Sequence, residues 1–212
     1  MKVGISGIWM LLCMIVNAQT VHFFQDSQTG GYYDTGLAFA TNPSTLLAAG
    51  STGDKIPVAW DVPPVEGENS LRLRWASHPG GDWSAFIIAP GFPFQNIAVT
   101  DTLSFWCYAP NGITAANLPA IAMEGAPGNT RSNAYPLTPY TSDIPAQEWT
   151  LVKVPLSIFF DDPNQTNINF NQIKAIILRQ HNADAVEHEL LIDNVRTYRI
   201  NASGSAVDTP PT

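Results

Sequence analysis

Four histidines, eighteen acidic residues and two cysteines are the side chains of this 212-residue sequence that could do acid–base, metal or nucleophilic chemistry. Their spacing builds no familiar constellation. There is no His-Glu-x-x-His, in which two imidazoles one helical turn apart share a zinc ion. His181 and His188, with Asp184, Glu187 and Glu189 around them, suit a polar hairpin better than a transition-metal site. No Gly-x-Ser-x-Gly elbow raises a serine nucleophile, and no Gly-x-x-x-x-Gly-Lys loop wraps a phosphate. A glycosidase needs only two facing carboxylates, and spacing along a chain of strands does not locate such a pair. Cys107 lies in Leu103-Ser-Phe-Trp-Cys-Tyr108, on the face of Leu103 and Phe105, which is the setting of a buried, inert thiol. The sequence therefore reads as a non-enzymatic protein.

Composition narrows the class. Charged residues make up 13% of the chain, about half the roughly 25% usual for soluble domains. Apolar residues make up 45%, enough to bury a core and to argue against disorder. A formal net charge of -8 argues against nucleic-acid binding, which needs a basic face. It also disfavours docking on anionic lipid. The 15 Gly and 17 Pro are spread along the chain, which leaves little room for long helices and favours many short strands.

The ends read differently from the middle. Met1-Lys2 gives a positive start, Ile5 to Val16 is almost wholly apolar, and Val16-Asn17-Ala18 places small residues at a cleavage site before Gln19. Residues 1–18 are predicted to be a secretory signal peptide. The apolar run, about 12 residues, is too short to span a bilayer. Met10-Leu11-Leu12 lacks the small residue that precedes a lipidated cysteine at Cys13. The expected product is a secreted protein, extracellular, periplasmic or at the cell surface, with no membrane contact after cleavage. Residues 201–212, rich in Ser, Gly, Thr and Pro, read as a flexible linker or tail of the kind that joins a domain to another module. Cleavage leaves Cys107 alone, so stability must come from the size of the core or from a bound ion.

Between these ends, residues 19–200 read as one domain of alternating strands. In Ser70–Ala76, Leu71, Leu73 and Trp75 oppose Arg72 and Arg74. In Asp101–Tyr108, Leu103, Phe105 and Cys107 oppose Ser104, Trp106 and Tyr108. Further strands are predicted at Trp83–Ile88, Leu118–Met123, Trp149–Leu156, Ile173–Arg179 and Glu189–Tyr198, with turns at 61–64, 79–82 and 110–112. No segment carries a helical stripe. Short strands at this spacing predict an all-β sandwich or jelly roll.

The order of the segments adds a resemblance. Phe23-Phe24-Gln25-Asp26-Ser27 and Gly31-Tyr32-Tyr33-Asp34 come first, then Val65-Glu-Gly-Glu-Asn-Ser-Leu-Arg-Leu73. Asp101-Thr-Leu-Ser-Phe-Trp106, Glu148-Trp-Thr-Leu-Val-Lys-Val-Pro-Leu156, Ile173-Lys-Ala-Ile-Ile-Leu178 and Leu191-Ile-Asp-Asn-Val195 follow. From about residue 22 to 200 this succession resembles the carbohydrate-binding modules with a galactose-binding-domain-like jelly roll. The resemblance implies one structural Ca²⁺, held by Asp26, Glu66, the backbone carbonyl of Asn69, and Asp193. Calcium takes six to eight hard oxygens. Gln25 stands where the family often has Glu.

The resemblance also implies a sugar-binding surface, where rings stack on the C–H faces of pyranoses and polar groups hold the hydroxyls. Trp106 and Tyr108 are expected to face outward on a central strand, joined by Arg74, by Arg131 from the irregular stretch 125–140, and by Gln180 at a strand end. Trp60, Trp75 and Trp149 are assigned to the core or its rim. The function so implied is a non-catalytic polysaccharide-binding module of a secreted, bacterial glycan-degrading system. Its partners would be a polysaccharide or oligosaccharide and an attached catalytic or fibronectin-like module. The alternatives are a structural or adhesive jelly roll packed against a neighbouring domain or surface protein, and a small glycoside hydrolase or lyase.

Overall fold

A computed structural model describes residues 20–28, 30–165 and 167–200 of the chain; the predicted signal peptide and the tail 201–212 lie outside the described residues. Fourteen strands among the described residues pair antiparallel into two sheets. The eight-stranded sheet runs in the order β12 (Trp149–Pro155), β8 (Thr102–Tyr108), β14 (Glu187–Tyr198), β6 (Ser70–Ala76), β5 (Ile56–Ala59) and β2 (Tyr32–Tyr33). Strand β1 (Thr20–Phe24) also pairs with β14, and β4 (Thr45–Leu46) with β6. The six-stranded sheet runs β10 (Thr130–Arg131), β9 (Ala120–Gly125), β13 (Ile173–Arg179), β7 (Asp82–Ile88) and β3 (Leu37–Thr41), with β11 (Tyr135–Pro136) on β9. Among the described residues, helix is confined to Ser157–Phe160 and a 3₁₀ turn at Ala115–Asn117. No helix of the described residues is long and apolar enough to cross a membrane. The expected all-β sandwich is the fold.

All seven strands expected from alternation are present, with ends shifted by no more than two residues. The strands alternation did not reveal are short, such as β2, β4, β10 and β11, or lack period two. In β5 all four residues of Ile-Pro-Val-Ala are buried, so no polar face marks the strand.

Strand β14 organises the eight-stranded sheet. Over Leu191–Tyr198 it pairs with β8. Its other edge takes β6 over Glu187–Ile192 and then β1 over Val195–Tyr198. The first and last described strands are thereby zipped together without a disulfide. The pairing with β8 breaks register between Asp193 and Arg196, and Asn194 there has a φ of 46°. This bulge adds local twist and re-aims side chains.

The core lies between the sheets. From β8 it takes Leu103, Phe105 and Cys107, from β6 Leu71, Leu73 and Trp75, and from β14 Leu190, Ile192 and Val195. Trp75 and Trp83 pack with ring centroids 5.0 Å apart, and the Trp83 indole N–H donates to Ser77 Oγ at 2.9 Å. Burial pushes the Cys107 thiol well above its ordinary range. A second apolar cluster stands apart from this core: Phe86, Ile88, Ala122, Ala175 and Ile177, with Leu37 against them. These residues alternate with core residues on β7, β9 and β13, so they line the outer face of the six-stranded sheet.

Ile192→Ala, at a fully buried site, should cost about 2–5 kcal/mol. Val99→Ala, 45% exposed, should cost under about 0.5 kcal/mol. Urea unfolding midpoints of the two variants check this.

Candidate functional site

The structure does not gather the five expected ligand residues into one cluster. Trp106, Tyr108 and Arg74 share the outer face of the eight-stranded sheet, as alternation implied. Trp106 stands between Leu151 and Asp193, and Tyr108 between Trp149 and Leu191. Arg74 pairs with Glu187 at 3.3 Å. Arg131 lies on the outer face of the other sheet. Gln180 is a tie at a strand end. Its amide N–H groups donate to the carbonyls of His78 and Gly81 at 3.2 and 3.1 Å, and its Oε1 accepts from Ser44 Oγ at 2.7 Å.

The Trp106 face is partly closed by the chain itself. Segment 60–67 crosses it: the Trp149 indole donates to the Pro63 carbonyl at 3.0 Å, and Arg72 donates to Asp61 Oδ2 at 2.7 Å. The backbone N–H groups of Val65 and Glu66 donate to Asp193 Oδ2 at 2.7 and 3.0 Å. Leu191, outward on β14, is completely buried. Tyr108 and Trp149 pack with centroids 5.4 Å apart and, like Trp106, keep part of their surface in solvent.

The outer face of the six-stranded sheet has a different build. Three cross-strand rows follow from the register. One is Phe39–Ser84–Arg179–Ala120, the next Leu37–Phe86–Ile177–Ala122, and the third Ile88–Ala175–Glu124–Arg131. The middle row is an apolar strip. Charged groups flank it. Arg179 donates to Asp82 Oδ2 at 2.7 Å. Glu124, with only 6% of its side chain exposed, accepts from Arg131 Nε at 2.9 Å and lies 3.8 Å from Lys174 Nζ. The Arg131 guanidinium sits 4.8 Å from the centre of the Phe86 ring, a cation–π contact. Phe39 packs edge-on to Phe86 at 5.7 Å and remains 47% exposed. Between Asp82, Ser84, Arg131, Ser132 and Arg179 lies a cavity of about 30 Å³, room for one water or one hydroxyl group. Behind this wall, the Tyr135 hydroxyl and the Asn133 amide both donate to Asp162. That network anchors the segment carrying Arg131.

The four residues expected to hold calcium do come together, around loop 65–69. Asp26 Oδ1 accepts the backbone N–H groups of Glu68 and Asn69 at 2.8 and 3.0 Å. Gly67 has a φ of +75°, and a Cβ there would lie 1.9 Å from Asp26 Oδ2, so only glycine lets the carboxylate close on the loop. Asp193 Oδ2 takes Val65 and Glu66, and its Oδ1 takes the Asn194 N–H at 2.7 Å. Glu66 accepts from the Asn194 amide. Asn69 turns its side chain to the Ser27 backbone, accepting at 3.0 Å and donating at 2.9 Å. Asp26 Oδ1, Glu66 Oε2 and both Asp193 oxygens thus accept backbone or amide N–H groups. Among the described residues no three His, Cys, Asp or Glu converge on one point. In this arrangement the acids serve the loop as hydrogen-bond acceptors. Burial pushes the Asp193 carboxyl up to about 6, with Asp26 adding to the effect and the N–H groups of Glu66, Val65 and Asn194 opposing it.

Comparison with known proteins decides what kind of fold this is. Residues 20–199 match the family described as Carbohydrate binding domain 30. The chain belongs to that family. Family 30 is a family of non-catalytic carbohydrate-binding modules. The chain is 32% identical over 191 residues to an exo β-1,2-glucooligosaccharide sophorohydrolase (non-reducing end) of Parabacteroides distasonis, covering 89% of this chain and 26% of that protein. The chain therefore spans about a quarter of the curated relative it matches. A crystal structure of a β-1,2-glucanase from Parabacteroides distasonis superposes with a TM-score of 0.71 at 29% identity, covering 85% of this chain and 25% of that one. The family 30 module of a cellulosomal cellulase of Clostridium thermocellum shares the fold, with a TM-score of 0.65 at 16% identity over 90% of this chain and 99% of that one.

In this family 30 domain, the outer face of the six-stranded sheet also carries Phe39, Asp82, Ser84, Phe86, Glu124 and Arg179, which the spacing of the sequence did not single out. A signal for them exists. Ala85-Phe-Ile-Ile88, Ala120-Ile-Ala-Met123 and Ala175-Ile-Ile-Leu178 are apolar at every position, which marks strands covered on both faces.

The Asp193 shift has a sign that can be tested. Its folded value of about 6 lies above the ordinary 3.8, so the folded protein holds this proton to higher pH than the unfolded chain. The contribution of Asp193 to stability is greatest below about pH 4 and is lost as pH rises to about 6. Melting temperatures of wild type and Asp193→Asn, compared from about pH 4 to 8, should shift against the wild type up to about pH 6 and stay level beyond. The profile should be the same in EDTA and in excess calcium. A cation on the carboxylates would depress the pKa and reverse the trend.

Proposed function

We propose that this family 30 domain is a non-catalytic module that holds a β-linked glucan on the outer face of its six-stranded sheet, as the targeting part of a secreted glycan-degrading protein. The observation that carries the reading is the exposed Phe39 ring, packed edge-on to Phe86 over the largely buried strip Leu37–Phe86–Ile177–Ala122 and set beside paired charged side chains. A pyranose is two-sided in the same way. Its C–H face is apolar and suits a ring such as Phe39, while its rim of hydroxyls needs both donors and acceptors. Arg131 and Arg179 supply donors, Asp82 supplies acceptors, and Ser84 supplies both. Holding these groups in mutual ion pairs keeps them oriented before a sugar arrives, which lowers the entropy lost on binding.

The relatives named for β-1,2-glucan chemistry make β-1,2-glucooligosaccharide the first ligand to try. Because the chain spans only a quarter of those proteins, an attached catalytic domain belongs to the same proposal. A second reading rests on the Tyr108–Trp149 pair: the glycan lies beside segment 60–67 on the eight-stranded sheet, where Trp106 and Arg74 also stand.

Affinity electrophoresis and calorimetry with β-1,2-glucooligosaccharides and other soluble β-glucans separate these readings. Phe39→Ala and Arg179→Ala should each weaken binding at least about tenfold, or about 1.4 kcal/mol, with little change in melting temperature. Trp106→Ala and Tyr108→Ala should leave affinity unchanged. The opposite pattern moves the site to the eight-stranded sheet. Wild-type protein that no glycan retards is a structural or adhesive domain instead.

A further inference from the structure

The loop leaving β7 carries two of the most exposed large apolar side chains among the described residues, Phe92 at 49% and Phe94 at 56%. Its backbone is built to keep them there. The Phe92 N–H donates to the Ala89 carbonyl at 3.1 Å, closing a tight turn. Pro90 restricts the backbone at its first central position. Gly91 follows with a φ of 80°, and Phe92 itself has a φ of 58°. Glycine takes such a conformation freely, whereas a bulky aromatic residue is a genuine outlier there. Strain of this kind persists where surrounding structure imposes it, and it clusters at ligand clamps.

The loop is also pinned in place. Gln95 and Ile173 exchange backbone hydrogen bonds at 2.7 and 2.9 Å, and the Ile97 N–H donates to the Phe170 carbonyl at 3.0 Å. The return leg of the loop therefore runs beside the start of β13. The next residue on β13, Lys174, reaches Glu124, which pairs with Arg131. Phe92 and Phe94 thus lie past the Ile88–Ala175–Glu124 row, at the same end of the six-stranded sheet as Arg131. The pinned segments also carry exposed amides, Asn96, Asn171 and Gln172. Amides offer donors and acceptors together, as sugar hydroxyls require. Two rings among amides are a small surface, well short of the contiguous apolar patch that protein docking uses.

We propose that Phe92 and Phe94 form a distal subsite, stacking on a sugar ring of a glucan whose other rings lie on the six-stranded sheet. The inference rests on the reading of that face given above and adds to it the place where a longer chain continues. A ligand reaching both places gains through effective concentration, and one too short to span them gains nothing.

Calorimetry with β-1,2-glucooligosaccharides of about two and about eight units tests this on wild type, Phe92→Gly and Phe94→Ala, with melting temperatures beside it. Both variants should bind the long oligosaccharide about tenfold more weakly and the short one as the wild type does. Phe92→Gly should melt at or above the wild-type temperature, because glycine relieves the left-handed backbone while removing the ring. Unchanged affinity for the long oligosaccharide in both variants overturns the subsite. So does an equal loss for both lengths, or a loss confined to a Phe92→Gly protein that melts well below wild type. Wild-type protein that binds neither length overturns the glucan reading itself and the subsite with it.

Discussion

A sheet that is apolar on both faces must be covered on both, and the six-stranded sheet obeys that constraint. Its inner face is closed by the eight-stranded sheet. Among the described residues its outer face has no second layer, yet Phe86, Ile88, Ala122, Ala175 and Ile177 are each at most 3% exposed. Phe39 and the Arg131 guanidinium cover the strip instead, the second by lying on the Phe86 ring. Apolar area left open would cost about 25 cal/mol for each Å² kept in water. A strip roofed by one guanidinium and one ring is shielded from water by side chains alone.

Electrostatics hold that roof in place. Glu124 is nearly buried on an outward strand position, and a buried carboxylate is tolerated only when paired. Arg131 and Lys174 pair it from opposite sides, and this draws Arg131 inward over Phe86. The Asp82–Arg179 pair is more exposed, with side chains 49% and 38% accessible, so it contributes little to stability. Its value lies in two charged groups that stay side by side at the rim.

The opposite side of the molecule is closed by different means. The bulge in β14 turns Asp193 toward segment 65–66, and Asp26 takes the N–H groups of Glu68 and Asn69. Two acids from the two ends of the domain thus fasten one loop across the eight-stranded sheet. Desolvation of Asp193 is costly, as its raised pKa records. The loop in turn narrows what Trp106 and Tyr108 can offer to solvent. Both faces of the sandwich therefore carry rings. One is crossed by the protein's own backbone, and the other, among the described residues, is roofed by side chains.

Local alternation was enough to read the strands and the inward set Leu103, Phe105 and Cys107, because period two follows from the pleat of each strand alone. It also showed that Trp106, Tyr108 and Arg74 point away from the core. It did not show that Arg131 belongs to the other sheet, that Gln180 spends its amide on the Ser44 and His78–Gly81 loops, or that the acids around Asn69 are turned to backbone N–H groups. Each of these depends on partners 7 to 136 positions away in sequence, brought near only when strands and loops pair in the folded domain. A strand's own residues determine which of its faces is buried. Which loop then crosses the outward face, and whether a ring there meets water or backbone, is decided by how distant strands pair, and no local pattern in the chain carries that information.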